Sequence, residues 1–432
     1  MSARRFGWVV AAVLVAGGRG AAAQAPADGP PPSKREQEKL VEEYLALDPR
    51  EAADLARRLE ILRRLDAVSL DQKRRVKSWT RFLDRRWAKG PRLEAKRGRH
   101  FWWEDEERGL YYVGGETKRP KGLLVGMHGG GVGMGDASTS FQAMDAAARA
   151  RGWVAVFPEV LEKTERGWTD SGTEEWALDL VDAALRTWDD VDPDRVYFAG
   201  HSMGGYGAWV LGAHHADRVA GLAASAGAPT PVYGPDGTIV EIQSGVVPNL
   251  RNTRLVVYQS ADDPRVPPDA NRAAVAEVEK ARARWGGFDG FAYLEVDGRG
   301  HDYPEGGFAA LFDRIADARR DPVPDHLVWQ PSLPWKRQFA WLWWPRPKLG
   351  AVVEAELDRE ANAVRLRSDA DLSGMEVLLD DRVLDLDRPV VVTVNGEETL
   401  RREAVPTLGT LLLTHHGRDT GRRFLARLPV RP

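Results

Sequence analysis

The sequence predicts an α/β fold with a doubly wound, mostly parallel sheet, flanked by an N-terminal helical region and a C-terminal all-β sandwich. Between residues 97 and 320, apolar runs typical of buried strands alternate with segments of helical periodicity. One such run, residues 196–199, enters a Gly-x-Ser-x-Gly turn at 200–204, and a helical segment follows it. Short strand candidates separated by turns fill the end of the chain, which is typical of a sandwich.

The chain divides into five predicted segments. Residues 1–23 combine Arg4 and Arg5 with a short apolar run and end in Ala-Ala-Ala, a pattern that predicts a secretory signal peptide rather than a membrane span. A Pro-rich spacer and amphipathic helices follow at 24–96. We then expect the α/β domain at 97–320, a Trp/Pro-rich linker at 321–347 and the β-sandwich at 348–432, and export to the periplasm or the cell exterior.

Composition excludes several classes of function. The 432 residues carry a net charge of −3 and contain no cysteine. Disulfides, thiolate catalysis and cysteine-ligated zinc are therefore excluded. Basic residues are interleaved with acidic ones, so we expect no nucleic-acid partner. We also expect no membrane span to remain after removal of residues 1–23. The oligomeric state stays open.

The Gly-x-Ser-x-Gly turn is the main functional motif. A sharp turn from strand to helix holds a serine in a strained conformation and presents its hydroxyl group at the edge of the sheet. Gly200 and Gly204 are expected to be glycines because a Cβ atom there would meet strand or helix. The motif predicts Ser202 as a nucleophile.

A second glycine-rich loop follows the apolar run Gly122–Met127 and reads His128-Gly129-Gly130-Gly131. Backbone amides in such a loop stabilise the anion that forms on an attacked carbonyl oxygen, provided that no side chain blocks their approach. The predicted oxyanion donors are the amide of Gly130 or Gly131 and the amide of Met203, which follows the nucleophile.

A carboxylate and a histidine complete the predicted triad. Two aspartates follow the strand at 255–258. The proline after Asp263 favours that residue, whereas counting from the end of the strand favours Asp262. His301 lies on a glycine-rich loop after the next strand, where a general base reaches Ser202 from above the sheet. The order serine, aspartate, histidine is the order that this kind of fold requires.

Two aromatic residues are candidates for substrate contact. Trp168 lies on a polar loop after a strand end, and Tyr206 lies in the first turn after Ser202. Ordinary packing is an equal alternative for both, since the chain contains 16 tryptophans.

These motifs resemble those of the α/β-hydrolase superfamily, in particular exported esterases and polyhydroxyalkanoate depolymerase-like enzymes related to the catalytic domain of prolyl oligopeptidases. The resemblance covers about half of the chain, residues 97–320. One departure is Gln259-Ser260, where the family commonly has His-Gly before the triad acid. The resemblance implies a Ser-Asp-His hydrolase that needs no cofactor or metal.

The remaining segments show no catalytic pattern. Prolines among the tryptophans of 321–347 favour an interdomain clamp over a carbohydrate-binding platform. The sandwich is expected to have seven strands, one of them at 408–413.

The expected function is hydrolysis of a carboxylic ester, small or polymeric, through an acyl-enzyme. One alternative is a prolyl oligopeptidase-like peptidase. Another is a polymer-binding protein with a vestigial triad.

Overall fold

The computed structural model describes residues 30–431. The predicted signal peptide at 1–23 lies outside the described residues. The described part begins with three amphipathic helices, α1 (Lys34–Ala46), α2 (Ala52–Asp66) and α3 (Lys73–Trp87). Each of them buries one apolar stripe, as their sequence periodicity predicts.

A central sheet of eight strands follows. Its strands in chain order are β1 (Gly98–Trp103), β2 (Arg108–Gly115), β3 (Gly122–Met127), β4 (Trp153–Pro158), β5 (Val196–His201), β6 (Gly221–Ser225), β7 (Arg254–Ser260) and β8 (Phe291–Val296). Their spatial order is β1-β2-β4-β3-β5-β6-β7-β8. The strand β2 pairs antiparallel with both of its neighbours, and all pairs from β4 to β8 are parallel.

Helices cover both faces of this sheet. They are α4 (Ala137–Ala150), α5 (Thr173–Thr187), α6 (Met203–His214), α7 (Asp269–Trp285) and the short α8 (Gly307–Phe312). Along β3, Leu123 and Val125 belong to one buried cluster and Leu124 to another, so the strand contributes to a core on each face. The predicted doubly wound α/β architecture is confirmed.

The C-terminal region contains nine strands in two sheets. They are β9 (His326–Trp329), β10 (Gln338–Phe339), β11 (Leu342–Trp343), β12 (Val353–Asp358), β13 (Ala363–Arg367), β14 (Glu376–Leu379), β15 (Val390–Val394), β16 (Glu397–Arg402) and β17 (Ala426–Pro429). The five-stranded sheet has the order β9-β12-β13-β15-β16, and the four-stranded sheet has the order β10-β11-β14-β17. Trp329 of the first sheet stacks on Phe339 of the second at a centroid distance of 5.7 Å.

Two details of this region differ from the sequence-based expectation. The segment 408–413, predicted as a strand, is the helix α9 (Leu408–Leu413), which Thr407 caps by accepting a hydrogen bond from the amide of Thr410 at 3.1 Å. The segment 321–347, predicted as a linker, supplies β9, β10 and β11. Its tryptophans 329, 341, 343 and 344 are buried and Trp335 is partly exposed, so the segment presents no row of exposed tryptophans to a carbohydrate.

The three regions pack on one another through partly buried ion pairs. Arg427 of β17 pairs with Asp66 of α2 at 2.5 Å. Arg320 connects Asp194, just before β5, with Asp419 near the C-terminus. The N-terminal helices thus rest against the C-terminal sheets. Within residues 30–431, no helix has the length and apolar character that crossing a bilayer requires.

Candidate active site

The turn between β5 and α6 presents Ser202 in a strained conformation. Its φ and ψ angles are 59° and −124°, in a region that residues with a Cβ atom rarely adopt. A Cβ on Gly200 would overlap the backbone of Gly204, and a Cβ on Gly204 would overlap the carbonyl oxygen of Met127. Both glycines are therefore required by close packing of the turn, as the motif predicts.

Ser202, His301 and Asp263 form one hydrogen-bonded chain. Nε2 of His301 lies 2.9 Å from Oγ of Ser202, and Nδ1 of the same ring lies 2.7 Å from Oδ2 of Asp263. The three residues come from three separate loops at the carboxyl ends of β5, β7 and β8. An Nδ1-protonated imidazole donates to the carboxylate and leaves Nε2 free to accept the serine proton.

The surroundings of Asp263 favour its ionised form. Its side chain is fully buried, and its Oδ1 accepts hydrogen bonds from the amides of Arg265 and Val266 at 2.8 and 2.9 Å. Burial alone would raise the pKa of Asp263, but the amide of Val266 and the ring of His301 outweigh burial and lower the pKa. The carboxylate is thus held as an acceptor facing the imidazole.

Asp262, the alternative acid, holds the histidine loop instead. Its Oδ1 accepts hydrogen bonds from the hydroxyl of Ser260 at 2.6 Å and from the amide of Gly300 at 3.1 Å. The hydroxyl of Ser260 in turn accepts from the amide of Arg299 at 3.2 Å. The departure at Gln259-Ser260 therefore has a structural use, because Ser260 helps to fix the backbone on which His301 lies.

The side chain of Gln259 fixes the acid loop in a similar way. Its amide nitrogen donates to the carbonyl oxygen of Val266 at 2.8 Å, and its amide oxygen accepts from Asn271 of α7 at 2.8 Å. These bonds tie the residues around Asp263 to a helix.

The loop after β3 brings Gly129 against the nucleophile. A Cβ on Gly129 would lie 3.2 Å from Cβ and 3.8 Å from Oγ of Ser202. Gly130 and Gly131 instead enter a short hairpin with residues 134 and 135. The sequence analysis did not name Gly129, and its choice of Gly130 or Gly131 as a donor stays a prediction. Met203, the other predicted donor, is buried in the first turn of α6, where amide groups lack partners within the helix.

His128 and Trp168 support that loop from below. Nε2 of His128 accepts a hydrogen bond from the amide of Val160 at 3.1 Å, so the ring proton lies on Nδ1 and is donated to the carbonyl oxygen of Gly129 at 2.8 Å. Burial lowers the pKa of His128, which favours this neutral form. The indole nitrogen of Trp168 donates to the carbonyl oxygen of His128 at 3.1 Å.

The two predicted substrate contacts differ in exposure. Trp168 is 0% exposed, so its ring packs under the loop and offers no surface to a substrate. Tyr206 is partly exposed, and its hydroxyl lies 2.9 Å from Oγ1 of Thr169. Of the two, only Tyr206 has a side chain that solvent reaches.

His201 lies beside the ring of His301. Its Nδ1 lies 3.0 Å from the hydroxyl of Ser225, and its ring centroid lies 4.9 Å from that of His301 and 4.5 Å from that of Tyr303. Burial, followed by the nearby His301, lowers the pKa of His201 to about 4. A neutral ring therefore packs against the base.

One group of side chains among residues 30–431 has the composition of a metal site. His326, Glu354 and Glu356 place potential ligand atoms within 4.8 Å of one another in the C-terminal sheet. The guanidinium of Arg367 lies 3.4 Å from Glu354, where it supplies positive charge to the same carboxylate. This group belongs to a different region from Ser202.

The strand order of the central sheet, the turn at Ser202 and the position of His301 after the last strand define an α/β-hydrolase fold. No protein-family model and no curated protein sequence matches the chain.

The structure is similar to several solved structures over about half of its length. A thermostable esterase matches at 17% identity and a TM-score of 0.35, covering 49% of this chain and 60% of that one. Est1E from Butyrivibrio proteoclasticus matches at 15% identity and a TM-score of 0.33, covering 48% of this chain and 91% of that one. The acylaminoacyl peptidase of Pyrococcus horikoshii matches at 14% identity and a TM-score of 0.37, covering 48% of this chain and 39% of that one. The chain thus spans less than two thirds of the length of the thermostable esterase.

Proposed function

We propose that the protein is an exported serine hydrolase that cleaves carboxylic esters through an acyl-enzyme intermediate. One observation carries the proposal. His301 bridges the hydroxyl of Ser202 at 2.9 Å and the carboxylate of Asp263 at 2.7 Å. A weak nucleophile, a base within hydrogen-bonding distance and a group that orients the base are the three requirements of nucleophilic catalysis by serine.

In the acylation step, Oγ of Ser202 attacks the carbonyl carbon of the ester. Nε2 of His301 accepts the hydroxyl proton, and Asp263 stabilises the resulting imidazolium through Nδ1. The tetrahedral intermediate then releases the alcohol, which takes its proton from Nε2, and leaves the acyl group on Ser202. Water attacks this acyl group with the same base, which releases the carboxylic acid and restores the serine.

The oxyanion of each tetrahedral intermediate lies between two backbone segments in this mechanism. One donor is the amide of Met203, and the other comes from the loop of residues 128–131, which approaches Ser202 at Gly129. A backbone held by His128 and Trp168 keeps those amides in position before the substrate arrives. Such preorganised donors are commonly the largest electrostatic contribution in acyl transfer.

An ester is the favoured substrate because an alcohol leaves a tetrahedral intermediate more readily than an amine does. Export rests on the sequence pattern of residues 1–23. Mass spectrometry of protein secreted from a bacterial host tests it, and we expect a mature chain that begins at Gln24.

Three measurements on purified protein test the hydrolase proposal. We expect a fluorophosphonate probe to label Ser202, hydrolysis of p-nitrophenyl acyl esters, and no label or hydrolysis in Ser202→Ala. An unlabelled wild-type chain would favour the non-catalytic alternative. Faster turnover of proline-containing peptides than of a panel of acyl esters would favour the peptidase alternative and refute ester specificity.

A further inference from the structure

A cavity lies where the three regions of the protein meet. Its volume is about 210 Å³, and its wall includes Leu62 of α2, Leu178 of α5 and Lys336 of the C-terminal region. None of Ser202, Asp263 and His301 lines it. An apolar cavity of about 150 Å³ holds a benzene ring, so the space here accepts a small organic molecule.

Basic side chains dominate the polar part of this wall. They are Arg50, Arg58, Arg218, Lys336, Arg337 and Arg422. Four of them have acidic partners. Arg50 pairs with Asp179, Arg218 pairs with Asp182, and Lys336 and Arg422 share Asp217. Lys336 and Arg422 thus share one carboxylate, and burial lowers the pKa of Lys336 to about 7. Two further arginines remain.

Those two arginines, Arg58 and Arg337, have no carboxylate partner among residues 30–431. Arg58 donates to the carbonyl oxygens of Tyr44 and Leu47 at 3.2 and 2.9 Å, and its guanidinium lies 3.8 Å from the centroid of the Tyr44 ring. Arg337 donates to the carbonyl oxygen of Pro345 at 3.0 Å and to that of Pro49.

The two guanidinium groups also repel each other. Burial and then the positive charge of Arg58 lower the pKa of Arg337, while Tyr44 and Asp48 act in the opposite direction. Both side chains are only partly exposed to solvent. Two like charges that share little water are stabilised by an anion placed between them, because guanidinium groups bind carboxylate and phosphate through paired hydrogen bonds.

The rest of the wall combines polar groups, Asp182, Gln338 and His416 among them, with apolar side chains. Leu55 and Leu62 come from α2, Leu178 comes from α5, and Trp335 and Trp343 come from the C-terminal region. The ring of Trp335 stacks on that of His215 at a centroid distance of 5.6 Å. An inorganic ion would leave these apolar side chains exposed to water, whereas a ligand with an apolar body would cover them.

We propose that this cavity binds a small organic oxyanion, a phosphate or carboxylate group carried on an apolar body, at a site separate from Ser202. The oxyanion lies against Arg58 and Arg337, and the apolar body lies against Trp335 and the leucines. The distance from the nucleophile follows from α6. This helix has 12 residues and spans ~18 Å. Ser202 precedes its first residue and His215, which lines the cavity, follows its last, so the cavity and the nucleophile lie at opposite ends of α6.

Isothermal titration calorimetry of the wild-type protein tests this site with three probes. Phenyl phosphate carries both features, inorganic phosphate lacks the apolar body, and phenol lacks the charge. We expect phenyl phosphate to bind with a stoichiometry of one and at least about tenfold more tightly than either fragment. Equal affinity for inorganic phosphate, or for phenol, would overturn the assignment of an organic anion.

Charge variants locate the site. In the double variant Arg58→Gln with Arg337→Gln, we expect phenyl phosphate to bind at least about tenfold more weakly, since two charge-assisted hydrogen bonds are lost. Arg58→Lys with Arg337→Lys keeps the charges and is expected to restore part of the affinity. The matched control is Arg75→Gln, at an arginine on α3 whose side chain is 42% exposed, and this variant should bind phenyl phosphate as the wild type does. Unchanged binding in the glutamine double variant would refute the site.

A further variant decides the outcome if the glutamine double variant does not fold, as judged by circular dichroism. Trp335→Phe keeps an aromatic ring on His215. Binding of phenyl phosphate should change the intrinsic tryptophan fluorescence of the wild type, and this change should be smaller in Trp335→Phe. An identical fluorescence change in both proteins would overturn the proposal. These readouts do not depend on ester hydrolysis, so failure of the proposed enzymatic function leaves them interpretable.

Discussion

Oδ1 of Asp262 lies 3.1 Å from the amide nitrogen of Gly300, the residue before the histidine that Asp263 contacts. The two adjacent aspartates thus act on the same loop by different means. Asp263 faces the imidazole ring, and Asp262 holds the backbone. This division predicts losses of activity of very different size when each aspartate is replaced by asparagine.

Asp263→Asn should lower kcat for p-nitrophenyl esters by about 10³- to 10⁴-fold, because an amide in place of the carboxylate favours the wrong tautomer of His301 and cannot stabilise its charged form. Asp262→Asn should have a far smaller effect. Its side-chain oxygen can still accept from Ser260 and Gly300, as Oδ1 does now. Steady-state kinetics of both variants measure the difference. A larger loss in Asp262→Asn than in Asp263→Asn would contradict these assignments.

Much of the central sheet can be predicted from the sequence because its strands are short and apolar and are separated by segments with helical periodicity. The strand Gly122–Met127 has the predicted bounds. Ser202, Asp263 and His301 were selected by motif and chain order, and the structure brings their side chains together. The choice between Asp262 and Asp263 needed coordinates, since both residues follow the same strand and only side-chain direction separates them.

The C-terminal region was less predictable because long-range packing decides its structure. The apolar run 408–413 has no helical signal of its own, but it lies against α2 and begins at Thr407, whose hydroxyl also donates to Asp66 at 3.0 Å. Similarly, the prolines of 321–347 favoured a linker, whereas the structure has two strands of only two residues there, Gln338–Phe339 and Leu342–Trp343. Contacts distant in sequence override local preference here.

The protein should lose stability as the pH falls from about 6.5 towards 4. Burial lowers the pKa of His201 to about 4, and burial also lowers the pKa of His416 well below its usual value. In the unfolded chain both side chains titrate near 6.5. Within this window the unfolded state binds more protons than the folded state, so stability is present above 6.5 and decreases with falling pH.

Thermal unfolding at several pH values between 7 and 4 measures this loss. The variant His201→Asn removes one of the titrating groups, and its side-chain amide can still bond to the hydroxyl of Ser225. We therefore expect the Tm of this variant to fall less steeply with pH than the Tm of the wild type. A wild-type Tm that is constant from pH 7 to pH 4.5 would be incompatible with buried neutral histidines.

Trp168→Phe should reduce kcat more than it changes KM. The substitution keeps an aromatic ring in a fully buried site but removes the hydrogen bond of 3.1 Å from the indole to the carbonyl oxygen of His128. An unpaired buried carbonyl costs about 1–3 kcal/mol, and the loop that carries the proposed oxyanion donors is free to shift. If Trp168 contacted substrate instead, KM would rise and kcat would stay near that of the wild type. Initial-rate kinetics over a range of ester concentrations distinguish the two results.

Arg320 and Arg319 are adjacent arginines whose loss should have very different consequences. The guanidinium of Arg320 is 2% exposed and bonds to Asp194 at 2.6 Å and Asp419 at 2.5 Å, joining the catalytic region to the C-terminal one. Arg320→Ala removes the cation that bonds to Asp419 and leaves Asp194 with the more distant Arg319 at 3.8 Å, so it should cost about 3–5 kcal/mol of unfolding free energy. Arg319 pairs with Asp192 but is 49% exposed, so Arg319→Ala should cost at most about 1 kcal/mol. Urea unfolding of both variants measures these values. Equal midpoints would mean that the clamp between the two regions contributes no more than a surface ion pair.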